Sequence, residues 1–138
     1  MLLFAKKKNR EVQAFLTTVV NNNCSGVEAL IEGPRLEDRV RLTVVVLVIP
    51  VDEGQPRVER TFAAVTKEFS SGGVALVTNE RRIAEDVILA FRWEGSIKLL
   101  RGKSKHVSPM GAGFYHQGVQ LTDVVAPSDF PELQSLTF

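Results

Sequence analysis

The sequence predicts a small all-β protein in which six antiparallel strands form a barrel, with short helical segments before and after it. Six short segments are rich in β-branched residues or alternate between apolar and polar residues, and most are separated by turn sequences. None of the connecting segments is long enough to hold the helix that a parallel crossover requires. In a domain of this size, closing an antiparallel sheet into a barrel removes its exposed strand edges.

The composition is typical of one globular domain. The chain has 138 residues, of which 44% are hydrophobic and 24% charged, and its 17 basic and 16 acidic side chains give a net charge of +1. A chain of this length buries enough surface to fold around one core without disulfides or metals. The near balance of charge excludes a protein that coats nucleic acid indiscriminately, because that function needs a large basic excess.

Cysteine usage and the lack of a long apolar segment predict a cytoplasmic protein. Cys24 is the only cysteine, so it forms no intrachain disulfide. The apolar residues 1–5 are too few for a signal-peptide core. A basic cluster, Lys6, Lys7, Lys8 and Arg10, follows them, whereas in a signal peptide the basic residues come first. The longest apolar stretch, residues 44–51, contains Pro50 and is less than half of the roughly 20 residues that span a bilayer.

Residues 1–33 are predicted to form a helical extension before the main domain. Apolar residues recur at helical spacing over residues 10–20, and three asparagines then end the helix. Ser25 and Glu28 have the spacing of a capping box, which predicts a second, shorter helix over residues 27–32.

The predicted barrel domain covers residues 34–124. Its strands are expected at residues 40–51, 57–66, 74–78, 86–93, 97–107 and 114–121. Turns are expected at residues 52–56, 67–73 and 94–96, and a looser connection at residues 108–113. Residues 125–138 form a tail in which Ser128 is expected to cap a short helix.

The catalytic motifs that a sequence can show are missing, so the prediction is a protein that is not an enzyme and holds no metal or cofactor. His106 and His116 are the only histidines, and they do not have the spacing of a zinc site. We expect both to be ordinary surface or strand residues. Gly111 and Gly113 lack the third glycine of a dinucleotide fingerprint and precede a strand instead of a helix.

One remaining motif is an arginine pair at the start of the first strand. Arg35 and Arg39 have an R-x-x-x-R spacing, and Arg41 follows them. Alone, this pattern indicates only a solvated linker, because Glu37 and Asp38 lie between the arginines and balance their charge.

A second motif is a serine-glycine segment that leads into an apolar strand. Glu68, Ser70 and Gly73 have the spacing acidic-x-Ser-x-x-Gly, and Gly72 lies inside it. Alone, this pattern indicates a turn between strands in which the glycines adopt positive φ angles.

Together, in this order and within this strand pattern, the two motifs resemble the PilZ domain, the bacterial receptor domain for cyclic di-GMP. The resemblance covers about residues 35–124, and residues 113–119 are similar to the closing strand of the family. It implies a non-catalytic receptor whose arginine linker orders around the ligand and signals to a partner protein. A homodimer is compatible with this prediction.

The resemblance assigns ligand-binding roles to Arg35, Arg39, Glu68, Ser70, Gly72 and Gly73, with Arg41 as an additional candidate. An arginine of the pair would donate to both N7 and O6 of a guanine through its planar guanidinium. The serine offers a hydroxyl group, and the glycines let the backbone amides of residues 71–73 approach a ligand closely.

Glu68 departs from the family pattern, which usually has Asp or Asn at this position to accept hydrogen bonds from the base. The glutamate keeps the acceptor but is one methylene longer, and a polar mismatch in a buried site costs about 1–3 kcal/mol. The substitution therefore favours one alternative, a degenerate PilZ-like scaffold that binds proteins and no nucleotide.

A further alternative is a small barrel that binds single-stranded nucleic acid. The fifth predicted strand contains no acidic residue. Its basic residues are Lys98, Arg101, Lys103, Lys105 and His106. Such sites also need aromatic side chains on which bases stack, and none lies between Trp93 and Phe114. A solvated strand face is the better interpretation, and we expect no nucleic-acid partner.

Overall fold

The computed structural model describes residues 41, 43–70, 72–81, 83–93 and 96–136. These residues form seven strands, β1 (Val45–Asp52), β2 (Gln55–Pro56), β3 (Phe62–Ser70), β4 (Gly73–Thr78), β5 (Asp86–Trp93), β6 (Ser96–Gly111) and β7 (Phe114–Val125). Short 3₁₀ turns lie at Val58–Arg60, Pro127–Asp129 and Pro131–Ser135.

The strands form a closed antiparallel barrel, which confirms the predicted fold class. The sheet has the order β2-β1-β3-β4-β7-β6-β5, and β1 also pairs with β5. Six of the strands therefore close into a ring. The two-residue strand β2 only extends the hairpin that begins at the end of β1, where Val51 pairs with Pro56.

The barrel contains one apolar core and carries a second on its outer surface. Side chains from the six long strands fill the interior, and Phe69, Leu76, Leu89, Phe91 and Leu100 are among the largest of them. On the outer face of β1, β5 and β6, a second cluster forms because the segment after β7 folds back and inserts Leu133, which is 1% exposed. Phe130 and Leu136 pack against the same cluster.

This second core explains why β5 is buried on both faces. Val87, Leu89 and Phe91 belong to the interior cluster, whereas Ile88 and Ala90 belong to the outer one. Alternate residues of β5 therefore point into two different apolar clusters, one inside the barrel and one on its outer surface.

Several predicted details of the chain were wrong. The strand predicted over residues 57–66 begins only at Phe62, after a 3₁₀ turn at Val58–Arg60. Residues 67–73 are not all turn, because β3 continues to Ser70. Residues 108–113 are not a loose connection either, since β6 runs to Gly111 and pairs it with Phe114 across a two-residue turn. That turn has φ angles of +55° at Ala112 and +82° at Gly113, as the twist of a tight hairpin requires.

A further error concerns the tail, residues 125–138, where Ser128 caps no helix. The segment contains 3₁₀ turns, and Ala126, which precedes the first of them, makes no side-chain capping hydrogen bond. The closely spaced Pro127 and Pro131 favour such short turns, because proline supplies no N–H for a continuing α-helix.

The predicted helical extension, residues 1–33, lies outside the described residues. Among the residues that the structure does describe, no helix is long and apolar enough to cross a membrane.

Replacing Leu133 with alanine tests the contribution of the outer core. We expect Leu133→Ala to lower the free energy of unfolding by about 2–5 kcal/mol, because the substitution leaves a cavity between the tail and β1, β5 and β6. Chemical denaturation measures this change. Ser128→Ala is the matched control in the same segment, since this exposed side chain makes no capping bond, and it should leave stability unchanged.

Candidate functional site

A cavity of about 430 Å³ lies on the outer surface of the barrel, where β3, β4, β6 and β7 run side by side. Its lining contains every described residue of the serine-glycine motif that was predicted to bind ligand. The lining residues are Glu68, Ser70, Gly72, Gly73, Val74, Ala75, Lys105, His106, His116, Gly118, Val119 and Gln120.

A β-bulge in β3 turns the motif toward this cavity. The register between β3 and β4 shifts between Thr66 and Glu68, so Lys67 is the extra residue. Before the bulge, Ala64 and Thr66 are buried, and after it Phe69 is buried. The shift therefore leaves Glu68 and Ser70 on the outer face of the strand.

Small residues form the floor of the cavity. Glu68 pairs with Ala75, Ala75 with Gly118, and Gly118 with His106, so these positions form one row across four strands. Of the two middle positions, Ala75 carries only a methyl group and Gly118 carries no side chain. Gly73 lies in the adjacent row, opposite Gln120. The longer side chains at both ends of the row become the walls of a groove.

His106 lies directly against the backbone of Gly118. A Cβ atom built on Gly118 would lie 2.9 Å from Nδ1 and 3.0 Å from Nε2 of the imidazole, so a larger residue would displace the ring. A second bulge, between Ser104 and His106, brings the histidine into register with the glycine. Only glycine at position 118 allows this position of the ring.

The turn between β3 and β4 is held by backbone hydrogen bonds. The Gly72 N–H donates to the Ser70 carbonyl over 2.8 Å, and the Gly72 carbonyl accepts from the Leu121 N–H over 2.8 Å. Gly72 has φ +118°, a conformation that favours glycine. Because the turn itself uses the Gly72 amide, a ligand would have to contact this loop through the remaining groups, the Ser70 hydroxyl among them.

The walls of the cavity carry more basic than acidic side chains. The lining includes Lys105 and both histidines against a single carboxylate, Glu68. The rings of His106 and His116 have centroids 5.9 Å apart and planes inclined by 30°. Burial lowers the pKa of His116 below its usual value, and the positive charges of Lys67 and His106 lower it further, whereas Glu68 opposes the shift. These charges favour an anionic ligand.

The chain enters the barrel close to this cavity. The Val44 N–H donates to Thr66 Oγ1 and the Thr66 N–H donates to the Val44 carbonyl, each over 2.9 Å. Thr66 precedes Glu68 by only two positions. The segment before β1 therefore leaves the barrel beside the bulge that presents the motif.

Of the three arginines predicted to bind ligand, the structure describes only Arg41. Arg35 and Arg39 lie outside the described residues. Arg41 is exposed ahead of β1, and it is not among the residues that line the cavity.

Sequence reasoning missed the residues that complete the cavity. We expected His106 and His116 to be ordinary strand or surface residues, and Lys105 to belong to a basic strand face. The alternation in residues 116–120 does place His116, Gly118 and Gln120 on one face of β7. Their meeting with β3 and β6 depends on the two bulges, which no motif in the sequence marks.

The described residues offer little support for other sites. A cavity of about 580 Å³ near Pro50 and Phe62 is lined by one basic and one acidic side chain, Arg60 and Glu80, and contains no predicted ligand-binding residue. No group of three or more His, Cys, Asp or Glu residues in this part of the chain is arranged to hold a metal ion.

The basic residues of β6 do not form one continuous face. The guanidinium of Arg101 lies 5.9 Å from the ring centroid of Phe130, so the carboxyl-terminal segment partly covers this arginine. Lys105 and His106, by contrast, line the cavity. An uninterrupted track for a nucleic-acid backbone is therefore not present on the described part of this strand.

The chain matches no protein-family model and no curated protein.

Replacing Gly118 tests the geometry of the cavity floor. Gly118→Ala should push the His106 ring out of its position, because the added methyl group overlaps the imidazole, and it should change the free energy of unfolding by no more than about 0.5 kcal/mol, since the exposed ring can turn into solvent. The imidazole resonances in an NMR spectrum report the displacement, and chemical denaturation reports the stability. Gln120→Ala, on the same face of β7, is the control, and an equal effect there would contradict the argument.

Proposed function

We propose that this protein is a non-catalytic, PilZ-like receptor for cyclic di-GMP and that the nucleotide binds in the cavity between the β3–β4 hairpin and β6. The main supporting observation is that the described residues of the predicted motif share one cavity with basic side chains from a distant part of the chain. A motif that was only a solvated turn would have no reason to face a groove of this kind.

The shape and charge of the cavity fit the ligand chemistry. A purine is flat, and the small side chain of Ala75 leaves room for a flat group to approach the sheet beside the His106 ring, which covers Gly118. Glu68 offers carboxylate oxygens that accept hydrogen bonds from a guanine edge, and Ser70 offers a hydroxyl group. Lys105 supplies positive charge for the phosphodiester groups, and the imidazoles of His106 and His116 offer N–H donors to them.

The arginine linker has the reach that this proposal needs. Arg39 precedes Val44 by five residues, and an extended chain spans at most about 3.3–3.6 Å per residue, or about 17 Å in total. Val44 is hydrogen-bonded to Thr66 beside the β3 bulge, two positions before the cavity residue Glu68, so a linker of this length starts close to the cavity. We propose that Arg35 and Arg39 fold over the bound nucleotide and that this ordering changes the surface offered to a partner protein in the bacterial cytoplasm.

Titration with cyclic di-GMP tests the proposal. Isothermal titration calorimetry should show binding in the nanomolar to micromolar range, and both Arg35→Ala and Arg39→Ala should abolish it, because each removes a bidentate donor to guanine or phosphate. Arg81→Ala is the matched control, since this exposed arginine lies in the β4–β5 connection and does not line the cavity, and it should bind as the wild type does. Equal binding by all three variants would contradict the proposed role of the linker.

The length of the Glu68 side chain gives a separate prediction. Glu68→Asp should bind cyclic di-GMP more tightly than the wild type, by about tenfold or more, because the shorter carboxylate removes a mismatch of about 1–3 kcal/mol. The same calorimetric titration measures the change, with Glu80→Asp as a control outside the cavity. Weaker binding by Glu68→Asp would show that the longer side chain already fits the ligand.

A protein-interaction scaffold without nucleotide is the second candidate, and the β6–β7 hairpin favours it. Val107, Met110 and Phe114 are 42%, 49% and 47% exposed on this hairpin. Its last residues extend past their neighbours, since β5 pairs with β6 only as far as Lys103. No heat and no thermal shift with cyclic di-GMP would select the scaffold, whereas binding to single-stranded oligonucleotides alone would contradict both candidates.

A further inference from the structure

Two imidazoles on neighbouring strands form one wall of the cavity. His106 on β6 lies against Gly118, and His116 lies two residues before that glycine on the same face of β7. Their ring centroids are 5.9 Å apart, so an anion bound beside the two rings would interact with both. Histidine is the side chain whose charge ordinarily changes near neutral pH.

The charged groups around this pair that belong to the described residues lie on β3 and β6. From β3 come Lys67 and Glu68, and from β6 comes Lys105, with Lys103 farther along the strand opposite Gln120. The described strand β4 contains no titratable side chain, and Tyr115 of β7 alternates onto the opposite face from His116. Positive charges therefore outnumber the single carboxylate around the imidazoles.

Without a bound ligand, the surroundings of His116 oppose its protonation. The pKa of His116 is lowered by burial first, and then by the charges of Lys67 and His106. A bound phosphodiester would reverse the balance, because its negative charge stabilises an imidazolium within a few ångströms. The phosphodiester itself stays fully ionised over the physiological pH range, so any pH dependence of its binding must come from the protein.

We propose that the phosphodiester ligand of this cavity binds at the His106–His116 pair together with a proton on His116, so that the affinity of the receptor rises as the pH falls through neutrality. The inference rests on the proposed function for the identity of the ligand, and it adds a regulation of the same site. A cell whose cytoplasm becomes more acidic would then have more of the receptor occupied at the same concentration of nucleotide.

The direction of the effect follows from linkage between proton and ligand binding. At a pH above the pKa values of the bound state, both forms of the protein hold neutral imidazoles and binding takes up no proton. Between the lower pKa of the empty state and the higher pKa of the bound state, ligand binding draws in protons, and the affinity rises as the pH falls. Below both values the affinity becomes constant again.

Calorimetry with cyclic di-GMP at several pH values between about 5.5 and 8.5 tests this inference. At one pH near neutrality, the titration is repeated in two buffers of different ionisation enthalpy, because the difference in heat gives the number of protons taken up. We expect net proton uptake, and an affinity about tenfold higher at the acidic end of the range, which corresponds to a rise of one pKa unit on binding.

The His106→Gln, His116→Gln double variant is the decisive comparison, because the chain contains only these two histidines. Its affinity for the nucleotide should not change over this pH range, and binding should take up no proton. Arg81→Gln, remote from the cavity lining, should retain the full pH dependence. Imidazole NMR titrations of the wild type, with and without ligand, report the protonation directly even if the double variant folds poorly.

The outcomes separate the two proposals. Binding without proton uptake and without change in affinity over this pH range would overturn the inference and leave the proposed function in place. A double variant that keeps the pH dependence would also overturn it, because another group would then carry the proton. If cyclic di-GMP fails to bind at any pH, the proposed function fails, and the inference fails with it.

Discussion

The pairing of β1 with β5 is the interaction on which the rest of the structure depends. Val46–Pro50 pair with Val87–Phe91, and without this ladder the sheet would remain open with two long apolar edges. Closure also gives β1 and β5 two faces to bury, one inside the barrel and one under the carboxyl-terminal segment. The curvature that follows brings β3, β4, β7 and β6 together as a continuous wall, and that wall carries the cavity.

Two β-bulges in this wall determine which side chains line the cavity. The bulges at Lys67 and Lys105 each change which residues of their strand face outward. Without the first, Glu68 and Ser70 would turn toward the core, and without the second, His106 would lose its register with Gly118. The regular barrel is thus the scaffold, and its departures from regularity define the candidate site.

The sequence predicted most of the fold because strands and tight turns are local properties. The β-branched run in β1 and the Ser-Gly turn before β4 could be read from neighbouring residues alone. The cavity also depends on distant pairing, since His106 and Glu68 become neighbours only through the register of four strands. The outer core was missed for a similar reason, because nothing near Leu133 indicates that it folds back onto β1 and β5.

The position of Leu133 has a consequence for how the protein is made. β1 and β5 are synthesised early, but their outward apolar side chains stay uncovered until the segment around Phe130 and Leu136 arrives. A nascent chain on the ribosome therefore exposes this apolar surface until residues 130–136 have cleared the exit tunnel. During that interval we expect it to be a good client for molecular chaperones.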